Sequence, residues 1–187
     1  MKTKPFFMMI AVMLFFTGFN LSVSAQKKQS DCPSGPKIEV KNVDAQKAFV
    51  IKAEVPTSEV GPKMGELYGK LFAYMGQNQV QPAGPPFAVY YSFDPKGNTV
   101  FEAGVPVAAK TGTDGDVVYK EFEAMKVVST LYVGPYEKML PVYEAMQKYV
   151  KDNNLKDNGT AWETYLTDPN EEKDPEKFQT IIWFPVK

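Results

Sequence analysis

The 187-residue chain contains no histidine and no arginine, and only one cysteine, Cys32. Without histidine there is no Ser-His-Asp or Cys-His triad, no imidazole base, and no histidine ligand for zinc or haem. Without arginine there are no guanidinium forks for phosphates or base edges, and the formal net charge of −1 is no footprint for a polyanion. Nucleic acid is therefore not an expected partner. A lone cysteine forms no internal disulfide, so the fold must be held by its core. Chemistry is left to carboxylates, lysines, tyrosines, tryptophans and apolar surface, and neither a cofactor nor a metal site is expected. The run Gly112-Thr113-Asp114-Gly115-Asp116 lacks the ligand ladder and terminal glutamate of a calcium loop and reads as a turn.

The N-terminus has a clear pattern. Lys2 and Lys4 precede the apolar run Phe6 to Phe16, and a polar-leaning stretch ends in Val23-Ser24-Ala25. Charged, apolar and small-residue regions in that order form a secretory signal. The run is too short for a bilayer span, which needs about 20 residues. Residues 1–25 are therefore read as a cleavable signal peptide, with export to the periplasm or medium and no stable membrane insertion after cleavage near Ala25-Gln26. Gln29-Ser30-Asp31 precede Cys32 and argue against a lipidated cysteine. Residues 26–44, with Pro33, Gly35 and Pro36, read as a flexible leader, and residues 45–187 as one domain with a substantial core.

Within that domain one order of elements is written twice. Ala48 to Val55 alternates as a strand, Met64 to Gln77 has helical spacing, and Phe87 to Phe93 and Thr99 to Ala109 form two strands around the turn Asp94-Pro95-Lys96-Gly97-Asn98. Val117 to Val133 then begins again, long enough to bend or carry a bulge. A helix from about Met139 follows, with Pro141 in its first turn; Ala161 to Thr167 and Phe178 to Val186 complete the set. Val60-Gly61-Pro62 recurs as Val133-Gly134-Pro135, Tyr68 as Tyr143, Tyr91 as Tyr165 and Pro106 as Pro185. The expectation is an α+β fold of two strand–helix–strand–strand units. They pair into one antiparallel sheet with both helices on one face. The opposite face is expected to curve into a ligand groove at the pseudo-twofold seam.

The chain resembles the GyrI-like small-molecule-binding domain, the effector-binding module of many AraC- and MerR-type regulators that also occurs alone. The resemblance is carried by Phe101-Glu102-Ala103-Gly104-Val105-Pro106-Val107, Tyr132-Val133-Gly134-Pro135-Tyr136, Trp162-Glu163-Thr164-Tyr165 with Asp168-Pro169, and Thr180-Ile181-Ile182-Trp183-Phe184-Pro185-Val186. It runs from about Lys47 to Lys187. It implies an aromatic-walled cleft, with Glu163 in the place of a buried glutamate that meets cationic or polar parts of hydrophobic ligands. It also implies a hydrolase alternative, because some stand-alone members are hydrolases of reactive ring compounds. Where family regulators carry a helix-turn-helix segment, this chain has only the signal and leader, so a role in transcription is not expected.

Residue by residue, Glu163 shares a face with Tyr165, away from Trp162 and Thr164. Its repeat partner is taken as Val89, so a carboxylate stands where the sister half keeps an apolar side chain. Burial would raise its pKa unless a cation or hydrogen bonds compensate; the bland alternative is a solvated glutamate facing a lysine. Trp183, in an apolar strand, fits core or cleft wall equally. Tyr91 and Tyr165 are repeat-related, and Tyr136 would lean over the cleft from the helix start. Glu102 is expected at the surface; if it faced Glu163 across the seam it would complete an acid–base pair. The reading is an exported binder of small hydrophobic molecules, cationic or planar, with Glu163 as charge selector. The alternatives are a Glu163-dependent hydrolase and a protein-binding module marked by an apolar patch outside the cleft.

Overall fold

The computed structural model describes residues 35–109, 112–113 and 115–187. The expected signal peptide, Cys32 and residues 26–34 of the expected leader lie outside the described residues. Eight strands and two helices follow in the order β1 (Glu39–Val43), β2 (Gln46–Pro56), α1 (Val60–Gln77), β3 (Phe87–Phe93), β4 (Asn98–Pro106), β5 (Val118–Phe122), β6 (Met125–Val133), α2 (Leu140–Asp152), β7 (Ala161–Tyr165) and β8 (Gln179–Pro185). All strand pairings are antiparallel, in the sheet order β1-β6-β8-β7-β3-β4-β2-β5. The leader ends sooner than expected, because Glu39–Val43 pairs with β6 and belongs to the sheet. Among the described residues no helix is long and apolar enough to cross a membrane.

The duplication is visible in the helix ends. At the end of α1, Val80 N–H donates to Met75 C=O and Gln79 N–H to Gly76 C=O; at the end of α2, Leu155 N–H donates to Val150 C=O and Asn154 N–H to Lys151 C=O. Both are Schellman closures, and both place a left-handed residue, Gln79 at φ 55° and Asn154 at φ 53°, at the same step. The repeat offset is therefore 75 at the helix ends. It differs upstream. Pro56 and Pro135 each lead into a single 3₁₀ turn, Thr57–Glu59 and Tyr136–Lys138, so Pro135 answers to Pro56. The sequence likeness of Val60-Gly61-Pro62 to Val133-Gly134-Pro135 joins positions that are not equivalent, since the first lies within α1 and the second ends β6.

The expected long strand Val117 to Val133 breaks at Glu123-Ala124, just as β1 and β2 are separated by Asp44-Ala45. Register continues across both gaps: Val43 lies opposite Met125, and three residues on, Gln46 lies opposite Phe122. β1–β2 and β5–β6 are thus two bent strands running side by side, and the sheet curls until its ends meet. This ladder crosses the seam between β3 and β7 on the side away from the helices. There Phe122 meets Trp162 at 4.8 Å and Phe87 at 5.7 Å, while Trp162 stacks on Phe87 at 5.4 Å and Trp183 at 6.0 Å. Aromatic side chains fill the centre of the groove expected on this face, because the bent strand carries Phe122 over it; beside them a cavity of about 560 Å³ remains, with Phe87, Thr164, Ile181 and Trp183 in its wall.

On the other face α1 sets Leu67, Leu71 and Met75 against Phe49, Ile51, Phe101 and Val105, and α2 sets Met146 and Val150 against Val128, Ile182 and Phe184. With both faces covered, β2 reads as a continuous buried run, Ala48 to Ile51. Each large side chain removed from water contributes roughly 1.5–3 kcal/mol. The two helical cores are separate, and between them the seam strands present polar side chains.

Candidate functional site

At the seam Ala88 of β3 lies directly opposite Glu163 of β7. Alternation along β7 turns Glu163 and Tyr165 to the helix side and Trp162 to the aromatic interior. Glu163 is only 8% exposed. Its carboxylate accepts three phenol hydrogen bonds, from Tyr143 of α2 at 2.5 Å, Tyr165 at 2.7 Å and Tyr90 of β3 at 3.4 Å. The Tyr90 and Tyr165 hydroxyls also lie 3.3 Å apart. Tyr68 of α1 packs edge-on to Tyr165 at 6.3 Å but donates to the carbonyl of Phe87. Tyr136 packs edge-on to Tyr165 from the opposite side, at 5.7 Å.

The electrostatics follow from that burial. Loss of water raises the Glu163 pKa; the three phenol bonds lower it and do not cancel the rise. Burial first, and the charge of Glu163 second, push the phenols of Tyr68, Tyr143 and Tyr165 well above their ordinary value of 10.0. The same two causes act on Tyr90. The phenols therefore remain proton donors through the neutral range.

Above this cluster lies a cavity of about 750 Å³, between α2 and the β3–β4 hairpin. Glu163, Tyr90 and Tyr143 form part of its wall, with Met139 and Phe184 as apolar neighbours. At its edge stand three exposed apolar side chains, Phe93, Tyr136 and Leu140. Three acids, Glu137, Asp157 and Glu163, contribute to the lining and no lysine does. A volume of this size suits a molecule of several rings.

The other candidates separate from this cavity. Tyr91 borders it, but its hydroxyl donates to Glu102 at 2.7 Å. Glu102 is not the expected surface residue. It is 8% exposed and ion-paired with Lys120 at 2.8 Å, because β5 folds over that face of β4. It cannot complete an acid–base pair with Glu163, since the two carboxylates point to opposite faces of the sheet. Trp183, half-buried, stacks on Trp162 at the edge of the aromatic interior and also lines the cavity of about 560 Å³ on that face, so it packs on the core and forms cavity wall at once. Outside the cavity, Leu131 and Val133 are about half exposed on β6, with Ile181 opposite Leu131. Among the described residues no group of three or more potential metal ligands gathers.

Sequence reasoning missed Tyr90 and the role of Tyr143. By simple alternation from Ala88, ahead of the register shift between Tyr90 and Ser92, Tyr90, not Tyr91, turns to the helix side and meets Tyr165. The signal was present in the Tyr68 and Tyr143 pair: its offset of 75, applied to the strand, pairs Tyr90 with Tyr165 and Ala88 with Glu163.

Two half-sheets, two helices and a polar cluster under an aromatic cavity define a small-molecule-binding α+β domain. The chain belongs to the GyrI-like family, whose small molecule binding domain matches residues 36–187. Among solved structures, the EcmrR C-terminal domain is similar at 20% identity and a TM-score of 0.67, covering 81% of this chain and 98% of that one. Against EcmrR in its DNA complex, this chain spans 57% of the other's length. A hydrolase from Listeria innocua is similar at 18% identity and a TM-score of 0.62, with 82% and 93% covered. SAV2435, described as bound to tetraphenylphosphonium, is similar at 12% identity and a TM-score of 0.54, with 81% and 94% covered. At these identities the likeness establishes the fold. No curated protein matches the chain.

Proposed function

We propose that this protein binds small hydrophobic cations in the cavity above Glu163, outside the cytoplasm and without a covalent step. The observation that carries the reading is a buried carboxylate on an aromatic cavity wall whose lining holds three acids and no lysine. Apolar walls supply affinity and the negative field selects the sign of the ligand. A family neighbour bound to a lipophilic cation is consistent with this choice. The test is calorimetric titration with tetraphenylphosphonium. Glu163→Gln removes the charge while keeping the side-chain shape, and about tenfold or more weaker binding is expected. Equal affinity in both proteins would remove Glu163 as charge selector.

A second reading is hydrolysis, for which the phenols beside Glu163 supply the polar partner that Glu102 does not. Loss of an electrophilic ring compound with time, abolished by Glu163→Gln, would favour it over capture. Export rests on the pattern of residues 1–25. Mass spectrometry of the secreted or periplasmic form should give an N-terminus at Gln26; an intact Met1 in the cytoplasm would overturn it.

A further inference from the structure

Independently of the cation reading, we infer a second ligand site on the sheet face away from the helices, for uncharged ring compounds that carry one hydroxyl or carbonyl oxygen. The site is the cavity of about 560 Å³ beside the aromatic interior, a volume within the range of small-molecule sites. Phe87, Thr164 and Ile181 lie directly opposite one another on β3, β7 and β8 and cross its wall in one row. Trp183 adds a half-buried ring. The rest of the wall is tied down through the main chain. Ala83 N–H donates to Pro106 C=O at 2.8 Å, Val107 N–H to Lys47 C=O at 2.9 Å and Tyr165 N–H to Pro86 C=O at 2.9 Å. The rings of Pro85 and Pro106 fix their own backbone φ. A preformed wall lowers the ordering cost of binding.

Thr164 supplies the buried polar group of this wall. It is 8% exposed, and its hydroxyl has no hydrogen-bond partner among the described residues. Unlike the equally solitary hydroxyl of Thr180, it is not sealed from solvent. β7 is hydrogen-bonded to a strand on each side, so the hydroxyl opens outward, into the cavity. The repeat offset of 75 makes Val89 the equivalent residue of the first unit, and Val89 is 1% exposed in the aromatic interior. Valine has the same branched shape, so packing at this position does not call for a hydroxyl, and a nearly buried hydroxyl without a partner is destabilising. A ligand oxygen supplies the partner, since a hydroxyl both donates and accepts. With the neutral amide of Gln46, Thr164 gives the cavity polarity without charge. No acid contributes to the lining. Its one charged residue, Lys47, alternates with Ala48 and so shares the helix-side face of Phe49. A charged ligand would lose water there without gaining a counter-charge.

The experiment is calorimetric titration of the wild-type protein near neutral pH with 2-naphthol, 2-naphthoate and naphthalene, which share one ring system and differ in charge and in the oxygen. 2-Naphthol should bind about tenfold or more tighter than 2-naphthoate and about fivefold tighter than naphthalene. Thr164→Val should weaken 2-naphthol about fivefold, leave naphthalene unchanged and keep or raise the urea midpoint. Thr164→Ser, which retains the hydroxyl, should retain the preference for 2-naphthol over naphthalene. Nuclear Overhauser contacts of the bound ring should reach the methyl groups of Thr164 and Ile181 and not Met139 of the Glu163 cavity. The inference is overturned by wild type that does not bind 2-naphthol, by 2-naphthoate binding as tightly, by Thr164→Val matching wild type, or by contacts to Met139. None of these results depends on whether tetraphenylphosphonium binds, so the cation site stands or falls separately.

Discussion

In the proposed cation site a proton and the ligand would compete for Glu163, and the competition has a definite sign in two measurements. In the free protein, burial raises the Glu163 pKa above its ordinary 4.5. A raised carboxylate contributes stability that is fully present below about 4.5 and is lost as pH rises through the folded-state value. Each unit of elevation corresponds to about 1.4 kcal/mol between the two ends of that window. Urea denaturation of wild type and Glu163→Gln across this range isolates the group, because all other titrations are common to both. The stability of wild type relative to the variant should fall with rising pH. Ligand binding should run the other way: tetraphenylphosphonium affinity should rise by up to tenfold per pH unit below the folded-state pKa and level off above it. Binding within the window should also release protons, seen as a buffer-dependent heat. A flat or opposite stability difference, with no proton release, would refute the description of Glu163 as a buried acid held against its ionisation.

Three further outcomes test the placement of the remaining residues. Trp183→Phe and Glu102→Gln should each lower stability in urea without changing tetraphenylphosphonium affinity, because both side chains lie on the sheet face away from the Glu163 cavity; a weakened ligand would show that face to be coupled to the site. Gly104→Ala should cost about 1–3 kcal/mol in denaturant melts, since its Cβ would stand 2.4 Å from Cζ of Phe87, whose ring fills the aromatic interior. Leu140→Ser and Phe93→Ser, at the cavity edge, should weaken tetraphenylphosphonium severalfold with little change in the urea midpoint, since both side chains are more than half exposed in the free protein.

The fold was legible because its signals were local. Strand alternation, helical spacing and Pro141 in a first turn gave the units, and the paired tyrosines of the helices gave their repetition. What escaped depends on long-range pairing. Nothing between Val117 and Val133 announces that the strand changes partner at Glu123-Ala124, since both halves are equally β-favouring. That break carries Phe122 onto Trp162 and Lys120 to Glu102, and so sets the surroundings of the seam on that face. The site was legible in part: Glu163 stood out as a charge among apolar residues, and alternation assigned its side of the strand. Tyr90 was missed because Tyr91 was matched to Tyr165; the offset carried by the helix tyrosines Tyr68 and Tyr143 pairs Tyr165 with Tyr90 instead, and alternation from Ala88 puts Tyr90 on the same face.

The duplication explains how such a site arises without loss of the fold. Tyr68 and Tyr143 are equivalent tyrosines on equivalent helices, yet Tyr68 donates to the backbone of Phe87 and Tyr143 to the Glu163 carboxylate. The difference traces to one pair in the seam, where Ala88 of the first unit faces Glu163 of the second. On the first side a small apolar residue leaves the helix tyrosine to satisfy a main-chain carbonyl. On the second side a carboxylate takes that hydroxyl and recruits Tyr165 and Tyr90, the tyrosines of both seam strands. A symmetric pair of carboxylates at these directly opposed positions would place two buried charges against each other, which one shared proton or a doubly charged ligand would have to offset. One carboxylate served by tyrosines from both halves keeps the negative charge single, which matches the single positive charge of the proposed ligand.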